Sequence, residues 1–229
     1  MAMTGPQASG GALQSVLDRL AGEEAAALER LFRLLAIPSV STDPAFHESC
    51  IEAAEACAGA LREIGFEARV EPTLGKPMVV GHWRAASSTE KRRLLFYGHY
   101  DVQPPEPLDL WRTPPFEPTV ADGKLFARGA VDDKGQVYMH LGAIEAHMRV
   151  HGGLPVNLKV VIEGEEEVGS VNLESFLRSR RAELDADPGV TEAHGHRERV
   201  ARRRIDPAMH RPLIAIRLGE IRRPERHGY

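Results

Sequence analysis

LPVNLKVVIEGEEEVGS, residues 154–170, is an apolar run that ends in a concentration of negative charge. Its first half alternates and then turns continuously apolar, as a half-buried strand does. Glu163, Glu165, Glu166 and Glu167 follow almost together. Like charges this close repel one another and are pushed toward protonation. Two arrangements make such a cluster tolerable. Water can screen an acidic turn after a strand, or a cation can sit among the carboxylates. The stretch alone leaves both open.

Outward from this strand the chain alternates between helix and strand patterns. Helical periodicity covers 12–37, with a hinge near Gly22 and a stop at Pro38, and covers 47–65, with Gly65 just past the end. Residues 66–72, 77–85 and 92–102 read as strands. The last of these, RRLLFYGHYDV, is the strongest. QPPEPLDLWRTPPFEPTV, 103–120, is a proline-rich loop, and KLFARGAV, 124–131, a short strand. A helix over 133–153, the strand at 155–164 and a helix over 171–184 complete the series. Alternation of this kind predicts an α/β architecture, with a largely parallel sheet and helices on both faces.

Composition sets the bounds. The chain has 229 residues, enough for one large domain or two small ones, and a net charge of −4. Residues 188–229 hold ten arginines, no lysine and five acidic residues, so they carry +5 and leave −9 on residues 1–187. The acidic part suits a site for a cation. The texture changes after Asp187, where no sustained apolar period remains beyond LIAIRL, a possible short strand. The expected organisation is a disordered start over 1–10, a main folded unit over 11–187 and a divergent Arg-rich tail over 188–229. Cys50 and Cys57, seven apart on one helix, read as buried free thiols, because a disulfide along one helix is geometrically implausible. No apolar stretch reads as a membrane span, and no charged region followed by an apolar one marks a secretory signal. A soluble, cytoplasmic protein with no membrane partner is the expectation. Arg202–Arg204 has no interleaved aromatics and no binding module around it, so no nucleic-acid partner is expected. His194, His196, His210 and His227 read as incidental.

Three strands end in residues able to hold a metal. LLFYGHYD ends in His99 and Asp101, LFARGAVDDKG in Asp132 and Asp133, and VVIEGEEEVGS in the glutamates. In α/β sheets, ligands bind beyond the C-terminal ends of strands. If these strands are parallel neighbours, an imidazole and several carboxylates converge, a donor set for Zn²⁺ or a similar divalent ion. Asp101 lies two residues from His99, on the same face of a strand, where it can accept the imidazole's other N–H. Asp132 could bridge two metals through its two oxygens. Of adjacent glutamates, one could ligate and the other take a proton from water.

FYGHYDVQP, WRTPPFEP, DGKLFARGAVDDKGQ and IEGEEEVGS, in that order, resemble the N-terminal part of the M20 family of metallopeptidases, its dipeptidase (carnosinase-like) branch in particular. The likeness runs from about LLAIPSVSTDP to ELDAD. It implies a dinuclear metal-dependent hydrolase that cleaves dipeptides or acylated amino acids through a metal-activated water. The two divalent ions would be zinc, with manganese or cobalt as alternatives. It implies His99 as ligand of one metal, Asp101 as its orienting partner, Asp132 as the bridging carboxylate, Glu166 as general base and Glu167 as ligand of the second metal. It further implies a cis peptide from Asp132 to Asp133 and an ordered loop around Trp111. Glu163 and Glu165 fall to local structure.

The resemblance stops short of the whole pattern. A further Asp ligand in a Ser-Asp-Thr context has PGVTEAHGHR in its place, and the last His ligand and the lid that carries the family's homodimer interface lie beyond Tyr229. The expectation is therefore a chain truncated relative to its family, marginally stable, with an exposed sheet edge and little activity by itself. The alternative is a non-catalytic remnant that binds metal or a partner.

Overall fold

The computed structural model describes residues 8–86, 92–187, 190–192 and 216–217. The histidines at 194, 196, 210 and 227 and the arginine run 202–204 lie outside these. Helices α1 (Ala8–Gly22) and α2 (Glu24–Leu35) open the chain and are divided at Glu23, beside the expected hinge. α1 starts within the segment 1–10 expected to lack structure. α3 (His47–Glu63) follows, then α4 (Lys134–His151), α5 (Leu173–Ser179) and α6 (Arg181–Leu184). α4 ends at Gly152, whose φ of 71° lets its N–H return to the Met148 carbonyl at 2.8 Å.

The strands are β1 (Glu67–Glu71), β2 (Met78–Trp83), β3 (Arg93–His99), β4 (Thr119–Ala121), β5 (Lys124–Phe126), β6 (Asn157–Glu163), β7 (Val190–Glu192) and β8 (Ile216–Arg217). Five form one sheet in the order β1-β2-β6-β3-β7. β3 runs parallel to β6 and β7, and β2 runs antiparallel to β1 and β6. The sheet is thus mixed: parallel where β3 returns to β6 through α4, antiparallel where a short loop joins β1 to β2. β7 lies on the edge of β3, three residues past Asp187, where the sequence pattern predicts no strand. β8 falls within LIAIRL, as expected.

Period-two alternation sorts the core. Val79, Val160 and Ile162 face one side and pack with Leu34 of α2, Ala54, Cys57 and Leu61 of α3, and Val137 and Leu141 of α4. Met78, Val80 and Val161 face the other and pack with Phe176 of α5 and Leu184 of α6. Helices on both faces are thus as expected. Each fully buried aliphatic side chain contributes about 1.5–3 kcal/mol. The small residues of α3 let it lie close to the sheet, and Cys50 and Cys57 are free and buried there.

One expectation fails. β5 is not a neighbour of β3 and β6. It pairs with β4 and β8 in a separate three-stranded sheet. β4 and β5 form a hairpin closed by Asp122 and Gly123, both at positive φ (51° and 67°), the geometry that an Asp-Gly pair supplies in a two-residue turn. Asp132 therefore reaches the main sheet through the connection to α4 and not as the end of an adjacent parallel strand.

Lys134, the first residue of α4, is fully buried. Its Nζ donates to the carbonyls of Ile37 (2.6 Å) and Leu34 (3.1 Å), at and just past the end of α2, which also accept the N–H groups of Ser39 (2.9 Å) and Ile37 (3.3 Å). Burial holds its pKa down, to about 8. Lys134→Met fills similar space but removes the ammonium's charged hydrogen bond to each carbonyl. It is expected to cost about 1–3 kcal/mol in thermal or urea denaturation. An unchanged transition would show that the ammonium does not tie α4 to α2.

Candidate functional site

β3 and β6 are parallel neighbours with His99 directly opposite Glu163, so the strand that ends in HYD and the strand that ends in EGEEE finish side by side. The chain continues extended past His99. Val102 pairs with Val40, and the Val102 N–H donates to the Ser39 carbonyl at 3.0 Å. Tyr100 and Val102 are buried in the core, while His99, Asp101 and Gln103 alternate with them.

His99 is fully buried. Its Nδ1 lies 3.2 Å from the Asp101 carbonyl and 3.3 Å from Asp101 Oδ1. Its Nε2 lies 3.1 Å from Asp132 Oδ1 and 3.9 Å from Glu166 Oε2. Burial by itself lowers the His99 pKa, but the carboxylates of Asp101 and Asp132 outweigh it and lift the group to about 11. Such an excess of negative charge around one imidazole marks a place built for positive charge.

Asp101 is buried as well, and it does more than face the imidazole. Its Oδ2 accepts the N–H of Glu167 at 3.1 Å, and its Oδ1 accepts that of Glu166 at 3.3 Å. One carboxylate thus fixes His99 and the Glu166–Glu167 backbone together. The peptide bond between Asp132 and Asp133 is cis, as the resemblance implies. Asp133 is buried, and its Oδ2 accepts the His99 N–H at 3.1 Å. The side chain of Asp132 stays largely exposed (59%).

The four glutamates divide. Glu163 is buried, and its Oε1 accepts from the Tyr97 hydroxyl and, at 2.8 Å, from Ser170. Burial raises its pKa, and these two hydrogen bonds oppose the rise. Glu165 turns to Asn172, 2.7 Å away, and packs so tightly on Gly75 that a Cβ there would overlap its carboxylate. Glu166 and Glu167 begin a short 3-10 turn, Glu166–Val168, which brings Glu166 Oε2 to 3.9 Å from His99 Nε2. Burial raises the Glu167 pKa to about 7; a hydrogen bond from Gln103 opposes this, and Asp132 nearby adds to it.

The structure therefore brings His99, Asp101, Asp132 and Glu166 together, with Glu167 held beside them. Among the described residues no group of three His, Cys, Asp or Glu side chains closes tightly enough to hold a metal ion. The loop around Trp111 is ordered. Trp111 Nε1 donates to the Pro105 carbonyl (2.7 Å), and the Arg128 guanidinium stacks 5.3 Å from the indole and donates to the Pro104 carbonyl (2.9 Å). Sequence reasoning missed Gln103, Arg128, and the contact of Asp133 with the His99 backbone. The alternation His99, Asp101, Gln103 is the signal that could have pointed to Gln103.

Among the described residues no helix is long and apolar enough to cross a membrane. A profile of peptidase family M20/M25/M40 matches residues 95–210. The Cys-Gly metallodipeptidase DUG1 of Candida albicans is 37% identical over 180 residues, which are 72% of this chain and 37% of that protein. The human Beta-Ala-His dipeptidase is 45% identical over 95 residues, 42% of this chain and 19% of that protein. The crystal structure of human carnosine dipeptidase 1 superposes with a TM-score of 0.71 at 30% identity, covering 79% of this chain and 40% of that one. An M20 family metallo-carboxypeptidase from Sulfolobus solfataricus superposes with a TM-score of 0.66 at 36% identity, covering 73% and 37%. The chain thus spans little more than a third of the length of the DUG1 relative.

Proposed function

Since the chain belongs to peptidase family M20/M25/M40, we propose that its site serves metal-dependent hydrolysis of dipeptides, of the kind that the names Cys-Gly and Beta-Ala-His dipeptidase carry. The observation that carries this reading is the meeting of His99 Nε2 with the carboxylates of Asp132 and Glu166, with Asp101 behind the imidazole. The donor chemistry fits a divalent ion: one imidazole nitrogen and carboxylate oxygens, the set that zinc takes, with manganese or cobalt as alternatives. His99 would hold one ion, Glu167 a second, and Asp132 both. Ions so held would supply a Lewis acid and make water acidic enough to ionise near neutral pH.

The remaining work falls to the chain. Asp101 accepts the Nδ1–H of His99, which fixes the tautomer and leaves the Nε2 lone pair for a cation. Asp101 also anchors the Glu166 backbone, so the base is set by the same group that sets the ligand. Glu166, with its side chain 38% exposed, takes the proton of the attacking water and returns it to the leaving amine. His99 closes β3, while Asp132 comes from the connection to α4 and Glu166 and Glu167 from the turn after β6, so the site is assembled where these segments meet at the ends of β3 and β6. We further propose residues 11–187 as the unit that carries the site, residues 188–229 as a divergent Arg-rich tail that lends β7 and β8 to the two sheets, and the cytoplasm, where thiols stay reduced, as the setting for free Cys50 and Cys57.

The test is to purify the chain, load it with Zn²⁺ or Mn²⁺ and assay Cys-Gly, β-Ala-His and other dipeptides beside Glu166→Gln. Turnover is expected to fall about 10²–10⁴-fold in the variant. A chain that takes up neither ion overturns the metal centre, and turnover equal in both proteins overturns Glu166 as base. A second reading, a chain that turns over no peptide, is favoured by the lack of a closed group of three ligands among the described residues, since a catalytic zinc ordinarily has three protein ligands. Ion uptake with no hydrolysis of any dipeptide would establish it.

A further inference from the structure

Gln103 is exposed, yet its side-chain amide is engaged. Nε2 lies 2.7 Å from Glu167 Oε2 and 3.3 Å from the Glu167 carbonyl oxygen. Both partners are acceptors, so only the NH₂ end of the amide can face them. We propose that Gln103 is a positioning residue for Glu167: it occupies one carboxylate oxygen and the carbonyl of the same residue, and leaves the other oxygen, Oε1, to a divalent cation. The inference rests on the metal centre proposed above and adds to it a group outside the ligand set that orients a ligand.

The surroundings favour this over an incidental surface contact. A lone exposed glutamine loses rotamer freedom when it is held, which works against a fixed geometry. Here the backbone on both sides is fixed first. Val102 is tied to Ser39, and the carbonyls of Pro104 and Pro105 receive Arg128 and Trp111, which stack on each other. Consecutive prolines further restrict the chain that follows. The amide is thus presented from a rigid platform, and the entropic cost of ordering it is reduced. Glu167 is in turn held at three points: its N–H by Asp101, and its carbonyl and Oε2 by Gln103. A carboxylate with one oxygen so occupied offers a single defined donor.

The experiment uses the full chain, metal-free, titrated with Zn²⁺ and Co²⁺ by calorimetry, with the visible spectrum of the Co²⁺ form recorded in parallel. Gln103→Met keeps the length and removes the donors. It is expected to weaken Co²⁺ binding about 10–100-fold, the usual effect of losing a partner behind a ligand, and to alter the Co²⁺ spectrum. In a Glu167→Gln background the same change is expected to add nothing. Equal affinity in Gln103→Met and the parent overturns the inference, as do additive losses in the double variant. A metal-free melting temperature lowered in Gln103→Met assigns the residue to folding and also overturns it. A parent chain that takes up no ion overturns the metal centre itself, an outcome distinct from these.

Discussion

Gly164→Ala is expected to destabilise the fold by about 3 kcal/mol, a drop of roughly 6–12 °C in Tm for a chain of this size. Gly164 sits between Glu163, the last residue of β6, and Glu165, both buried. A Cβ there would overlap the hydroxyl and Cζ of Tyr100 and lie 2.6 Å from Cε2. Tyr100 has nowhere to go. It is fully buried, its hydroxyl donates to the Pro77 carbonyl at 2.8 Å, and its N–H is bound to the Glu163 carbonyl at 2.8 Å. The strain must therefore move the backbone of 163–165, which carries Glu166 and Glu167 away from Asp101. Stability and ion uptake should fall together. Tyr100→Phe alone loses the bond to Pro77 but removes the hydroxyl from the overlap. The double variant should thus be more stable than the sum of the two single losses. A Gly164→Ala protein that melts with the parent would show that the two segments are not in fixed contact.

The main elements were legible because their periods were clean. Leu31, Leu34 and Leu35 recur at helical spacing and are buried, and the small residues of α3 do the same. What periodicity could not give was pairing. β2 and β6 are apolar through most of their length because both are interior strands, and nothing in that pattern tells antiparallel from parallel. β4 escaped because its three residues follow a proline-rich stretch; the Asp-Gly pair at 122–123 was the available sign of a hairpin. β5 was misplaced by the assumption that consecutive strands of an α/β chain share one sheet.

The site was legible at the level of residue types and less so at the level of contacts. His99 and Asp101 two apart on a strand foretold their shared environment, and the crowding of four glutamates foretold a division of roles. That Asp101 would receive the N–H groups of Glu166 and Glu167 was not foretold, since backbone partners leave no mark on composition. The same holds for Asp133, which reads as a helix start and also receives the His99 N–H.

Asp101→Ala should consequently do more damage than the loss of one carboxylate implies. Three donors converge on it in a fully buried position: His99 Nδ1 at 3.3 Å and the backbone N–H groups of Glu166 and Glu167. His99 Nδ1 keeps the Asp101 carbonyl at 3.2 Å, but the two backbone donors lose their acceptor at about 1–3 kcal/mol each, so a loss of roughly 2–5 kcal/mol in the metal-free protein is expected. Asp101→Asn separates the two roles. Its shape is retained and its oxygen can still accept one N–H, but its NH₂ must face another donor. Metal-free stability should fall less than in the alanine variant, while Zn²⁺ affinity falls about 10–100-fold because the imidazole loses its charged partner. Stabilisation by a bound ion follows the logarithm of its affinity, so a hundredfold loss removes about 2.7 kcal/mol of the gain that saturating Zn²⁺ gives the parent. Melting each protein with and without Zn²⁺ reads both quantities. If Asp101→Asn kept the full gain on adding Zn²⁺, Asp101 would be a structural anchor for the glutamate turn and no part of the metal centre.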